Sequence, residues 1–280
     1  MIGGTKGIGL SIAEKLMRSG VHVTLVGRTE PKQVSSHPNV EFVGADLSSM
    51  REARALADRM KEKDFDAIFM TIGVAPLVRS YTAEGIESDL AVSYLCRHVV
   101  MDQMLKNGFG SGRPESSKPR VISIAYPGLW FTPGALDDIN WERTPYDFKA
   151  HINTHIFNEA LVHFLSQKHL NIEIIGLAPG WLSTPGLNSM TQGTIFEKVL
   201  PTLVDVLFQT KEHFVENVVI PLLMSPEIKS GSVFNSVGTE ILPNSWLAVD
   251  LLKRSKELVT LNHNLLRKYN LTEDPLDVSF

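Results

Sequence analysis

The sequence holds a single cysteine, Cys96, so no disulfide can close within the chain and a reducing compartment is expected. It has no apolar run long enough to span a bilayer, and its first residues show neither the basic segment nor the apolar stretch of a secretory signal. A cytoplasmic protein without membrane contact is therefore expected. A dense Lys/Arg stripe is also missing: 27 basic side chains against 31 acidic ones leave a formal charge of −4. Nucleic-acid binding needs clustered cations, so nucleic acid is excluded as the main partner. No internal repeat is visible. What is present is 280 residues, 43% hydrophobic and 21% charged, a globular composition that suits one domain over residues 1–280.

Short β-branched runs alternate with longer helical patterns. "VHVTLVG", "VEFVGA", "DAIFMTIG", "PRVISIA", "NIEIIGLAPG" and "GSVFNSVG" are separated by "GLSIAEKLMRSG", "SMREARALADRMKEK", "IESDLAVSYLCRHVVMDQML" and "HINTHIFNEALVHFLSQKH". That order predicts right-handed βαβ units, hence an α/β, doubly wound parallel sheet of Rossmann type. Ile8, Ile12 and Leu16, and then Leu90, Tyr94 and Val100, mark one buried face on each of two helices. "NGFGSGRPESSKP" reads as a solvent loop, and the excursion over residues 183–210 as a substrate lid.

The chain opens on "MIGGTKGIG". Gly3, Gly7 and Gly9, with Thr5, Lys6 and Ile8 between them, have the spacing of a turn that lets backbone approach a pyrophosphate, and a helix from about Gly7 would offer its free N–H groups to the anion. About 20 residues on, "VTLVGR" ends a strand at Arg28, where an acidic residue would bind a ribose 2′-hydroxyl. Arg28 and Lys6 instead suit a 2′-phosphate, so the expected cofactor is NADP. The alternative is a pair of solvated surface cations.

With these residues the chain resembles the short-chain dehydrogenases/reductases over nearly its whole length, and a divergent group from filamentous fungi, often in secondary metabolism, most of all. "GADLSS" looks like the family's adenine-contacting segment, which implies Asp46 at the adenine amino group and Leu47 against the ring. "TIGVAP" stands where the family has an Asn-Asn-Ala-Gly stretch and keeps Gly73. "LAPGWLSTP" is similar to the Pro-Gly turn, with Pro179, Gly180 and Thr184 where the nicotinamide end is held. "SPEIKSGSVFNSVG" resembles the closing helix, turn and last strand. The helices around 90–104 and 151–168 correspond to the family's dimer faces, which implies a homodimer. The family's first strand lies in mid-sheet, and only "MI" of it stands here; the expectation is a chain shortened by roughly six to ten residues, through an artefact or with the sheet patched another way.

The catalytic positions depart from the family pattern of Ser, Tyr and Lys. Anchoring on Asn158 and the Pro-Gly turn puts His151 at the Tyr position and His155 at the Lys position. Ala125 or Tyr126 falls where the Ser belongs, and Ser93 replaces the helix Asn. His151 and His155 lie on one helix face and read as an acid/base pair, as metal ligands with Glu159, or as polar filler of a cleft. Tyr126 and Tyr146 are further candidate acids, and Trp130, Phe131, Trp141 and Trp181 candidate walls of an apolar pocket. No metal is expected. Two functions stay open: an atypical NADP(H)-dependent oxidoreductase for a small, largely apolar carbonyl or enone, and a non-redox protein on the same scaffold.

Overall fold

Each of the six β-branched runs forms a strand, in a computed structural model that describes residues 1–76, 78–125, 136–180, 182, 209–226, 228–243 and 250–278. They are β1 (Val23–Gly27), β2 (Val40–Gly44), β3 (Ala67–Met70), β4 (Arg120–Ile124), β5 (Glu173–Leu177) and β6 (Val233–Phe234), followed by β7 (Glu240–Ile241). β1 pairs with β2, and β3 to β6 pair in sequence, all parallel; β7 turns back antiparallel on β6. The sheet is thus mixed rather than wholly parallel.

Between β1 and β3 stands Met1–Gly3, the segment expected to be the remnant of a central strand. Ile2 bridges Val26 on one side and Met70 on the other. Four backbone hydrogen bonds make this joint: Ile2 N–H to Phe69 O, Thr71 N–H to Ile2 O, Gly3 N–H to Val26 O, and Val26 N–H to Met1 O, at 2.8 to 3.1 Å.

Helices cover both faces, as a doubly wound sheet requires. α1 (Gly7–Arg18), α5 (Lys211–Phe214) and α6 (Ile220–Met224) belong to one face, where Ile12, Leu25, Phe69, Ile175, Phe214 and Val219 share a core cluster. α2 (Met50–Arg59), α3 (Cys96–Lys106), α4 (Phe148–Lys168) and α7 (Leu251–Lys268) cover the other, with Leu56, Val99, Phe157, Leu161 and Leu258 inside. α7 lies on α4, and its buried Asn262 donates to the Tyr94 hydroxyl at 2.5 Å. Burying a Tyr hydroxyl is tolerable because that bond satisfies it.

Two local expectations are corrected. Leu90, Tyr94 and Val100 are buried as expected, but not as one α-helical face: residues 90–95 wind as a π-helical turn before α3, and Cys96 to Met101 are buried on every side. The Asn158 amide donates to Ser93 O at 2.8 Å, a side chain entering the helical ladder and widening it. No helix forms in the described part of "SPEIKSG"; it ends at Met224 instead, because Pro226 drives Ser225 to extended backbone, φ −67° and ψ 127°.

The histidines make the fold acid-sensitive. His98, His155, His163, His169 and His263 are each held below the ordinary imidazole range, first of all by burial. The unfolded chain takes up protons near 6.5 where these folded rings resist, so their contribution is complete above that pH and declines as pH falls below it. Lys268 holds Glu142 at about 2, and Lys106 with Arg54 holds Asp274 at about 2, so these carboxylates lose their contribution only as pH falls toward 2. The expected result is a urea midpoint that falls in two stages on acidification; a midpoint flat from neutral pH to about pH 5 would contradict the histidine part.

Candidate functional site

At the carboxyl ends of β1 and β3 the opening glycines form a tight cradle. Gly3 has φ +85°, and a Cβ there would lie 2.5 Å from Ile72 N. The Thr71 hydroxyl lies 3.1 and 3.0 Å from the carbonyl oxygens of Ile2 and Gly3, tying the turn to the strand end. α1 then starts at Gly7 with Lys6 at its N-cap, no side-chain cap bond and no acidic residue in its first turn. Its N–H groups and positive dipole end are therefore open to an anion. Lys6 and Arg28 are exposed, and Arg28 directly follows β1. Thr5 packs under Gly27, where a Cβ would lie 2.6 Å from its methyl group, and Ile8 is half-buried against the core. The residues present fit a dinucleotide phosphate.

The other expected cofactor positions are placed unevenly. Asp46 accepts the Ser48 N–H at 3.0 Å and its own N–H goes to Glu52. Leu47 is 2% exposed and turned into the core, so it presents no face to a ring in solvent. Gly73 lies beside Ser93, Pro179 is buried, and Gly180 turns at φ +68°. Thr184 and Tyr126 lie outside the described residues, as do Trp130, Phe131, Trp181 and residues 183–208 of the expected lid.

His151 and His155 come together as one face of α4 should bring them, with Nε2 atoms 3.1 Å apart. His151 turns its other nitrogen, Nδ1, to the Asp89 carboxylate at 2.7 Å. Asp89 is fully buried, while the His151 side chain keeps 16% of its surface. A carboxylate only accepts, so an ionised Asp89 calls for the donor to be His151 Nδ1 and leaves His151 Nε2 to the contact with His155. Burial, then His151, then Arg97 push His155 well below the usual imidazole range, which keeps that ring neutral. The pair can hold one labile proton and give it up toward the open side of His151. The metal reading gains no support: among the described residues no group of three or more His, Cys, Asp or Glu is placed to hold an ion.

Besides Asp89, the sequence reading overlooked two charged side chains around this array. Glu87 is buried and accepts the N–H groups of Asp89 and Leu90 at 3.0 and 2.7 Å, holding the start of the π turn; burial raises its carboxyl above the usual range. Arg97, also buried, donates to Ser123 Oγ at 3.1 Å, to Ile124 O at 2.9 Å and to Ile72 O, so it clasps the ends of β3 and β4. Burial lowers it to about 10. Tyr146 donates its hydroxyl to Glu87 at 3.2 Å, and burial followed by the charges of Glu87 and Asp89 pushes it up, which makes it a poor acid. Trp141 is buried with its ring edge against Tyr146, a core contact.

Residues 1–110 match the short chain dehydrogenase family. A Saccharomyces cerevisiae protein named as an uncharacterized oxidoreductase is 30% identical over 264 residues, 92% of this chain and 84% of that one. A short-chain dehydrogenase/reductase of Penicillium rubens is 26% identical over 161 residues, 55% of this chain and 47% of that one. Among solved structures, the NADPH-bound carbonyl reductase from chicken fatty liver superposes with a TM-score of 0.62 over 86% of this chain and 96% of that one, at 18% identity, a likeness of fold alone.

Proposed function

The chain belongs to the short-chain dehydrogenase family, and from that premise we propose that it is an atypical NADP(H)-dependent oxidoreductase acting on a small, largely apolar carbonyl or enone. The observation that carries this reading is the glycine cradle opening on the uncapped end of α1, flanked by exposed Lys6 and Arg28. When bound, the nicotinamide supplies or removes the hydride. The chain's own residues do the rest. Gly3, Gly7 and Gly9 admit the pyrophosphate, Lys6 and Arg28 meet the 2′-phosphate, and His151 gives a proton to the oxygen of the reduced carbonyl or takes it back in the reverse direction. His155 meets His151 Nε2 at 3.1 Å, and solvent at the open side of His151 restores its proton. Asp89 holds His151 by its Nδ1, and Glu87 holds the backbone of Asp89. A role in secondary metabolism is part of this proposal; a short-chain dehydrogenase/reductase of the fungus Penicillium rubens is among the similar proteins.

Calorimetric titration of NADPH and NADH tests the cofactor. NADPH is expected to bind more tightly, and Arg28→Asp to reverse the preference, weakening NADPH by about tenfold to a hundredfold for one lost charge-assisted contact. Equal affinity for both cofactors in the natural chain would remove the 2′-phosphate assignment. Tight NADPH binding with no nicotinamide absorbance change on any carbonyl tried would favour the non-redox reading.

A further inference from the structure

Asp89 is a carboxylate with no exposed surface, a position that costs several kcal/mol unless every lone pair is answered. Its Oδ1 accepts the Ser93 hydroxyl at 2.5 Å and its Oδ2 the His151 Nδ1–H at 2.7 Å. His151 is its one ion-pair partner among the described residues. The other ionisable groups around the pair are Glu87 on the same segment, Tyr146 ahead of α4, His155 on α4 itself, and Arg97 beyond His155. None of them bonds to His151 Nδ1. The two nitrogens of His151 are thus given different tasks by different neighbours.

We propose that Asp89 is a positioning residue: it fixes His151 in the tautomer protonated on Nδ1, so that Nε2 alone trades the labile proton with a substrate oxygen. The Nε2 atom is useful only if it is not permanently protonated, and an imidazole with a free choice of tautomer favours protonation at Nε2. A buried acceptor on the far side reverses that choice before any substrate arrives. Proton balance follows: in the reducing direction the Nε2–H bond of the His151 imidazolium breaks as one O–H bond forms on the substrate, the ring is left as the neutral Nδ1–H tautomer, and solvent at the open side of His151 returns a proton to Nε2.

The proposal rests on His151 as the proton donor, but its test does not need cofactor or substrate. ¹⁵N-histidine spectra of the whole chain, with His151 assigned by His151→Gln, are expected to show the Nδ1–H tautomer. In Asp89→Leu, which keeps the volume and removes both acceptors, Nε2–H is expected to become the major form and kcat to fall by about 10²- to 10⁴-fold with KM little changed. An Nε2–H tautomer in the natural chain, or Nδ1–H still dominant in a folded Asp89→Leu, overturns the proposal; if that variant does not fold, the natural chain's spectrum decides alone. Nδ1–H as expected in a chain that binds no nicotinamide nucleotide would leave Asp89 its role and remove the oxidoreductase reading.

Discussion

His151→Ala is expected to lower kcat by about 10²- to 10⁴-fold while NADPH binding stays within a few-fold of the natural chain, the range of losses seen when a positioned acid/base is removed. Three candidate acids were legible in the sequence besides His151, and the geometry does not treat them alike. Tyr146 is committed to Glu87 and pushed toward retaining its proton. His155 is the more enclosed ring of the pair and is kept neutral by burial, so it does not start the transfer. His151 combines partial exposure with a buried carboxylate on the nitrogen that does not face His155. Steady-state kinetics on His151→Ala and Tyr146→Phe should therefore separate, with the Tyr146 variant close to the natural enzyme. Full turnover in His151→Ala would move the proton source to Tyr126.

Gly9→Ala is the second large effect. A Cβ at Gly9 would sit 2.4 Å from Thr71 Oγ1, 2.5 Å from Gly3 O and 3.1 Å from Gly4 Cα. The hydroxyl could rotate away, but the two backbone groups belong to the cradle and can move only by opening it. The turn has to hold its N–H groups within hydrogen-bond distance of the phosphates, so a shift of a few tenths of an ångström acts on every contact at once. NADPH affinity is expected to fall by about a hundredfold, near 2.7 kcal/mol, with a further overpacking cost of about 1–3 kcal/mol in urea unfolding. Unchanged affinity would show that the nucleotide does not rest on this turn.

The sequence disclosed those parts of the molecule whose periodicity is local. Runs such as "PRVISIA" and "NIEIIG" are apolar for the length of a strand because both faces of the sheet are covered, and all six such runs are strands. The glycine turn was legible because its spacing falls within nine residues, although Thr71 and Ile72, which crowd Gly9 and Gly3, lie far along the chain. α7 and β7 were not foreseen: β7 is two residues long, too short for any pattern, and α7 follows the last motif that the family resemblance reached. His151 and His155 were found together because four residues separate them on a helix. Asp89 was not, because it stands 62 positions before His151, and "ESDL" reads as ordinary helix-start charge. Arg97 looked like one cation within a helical pattern; only the fold turns it onto the ends of β3 and β4.

The joint at Ile2 has a consequence for motion. Among the described residues, the backbone hydrogen bonds that join β1 to β3 all run through Met1–Gly3. Amides of β1 and β2 should thus exchange with solvent through a partial opening that leaves β3, β4 and β5 closed. The glycine cradle stands on this joint and His151 beyond it, so a dinucleotide lying across both would act as a clasp. Its binding should slow amide exchange in β1 and β2 more than in β4, and part of its affinity would be spent on closing the seam.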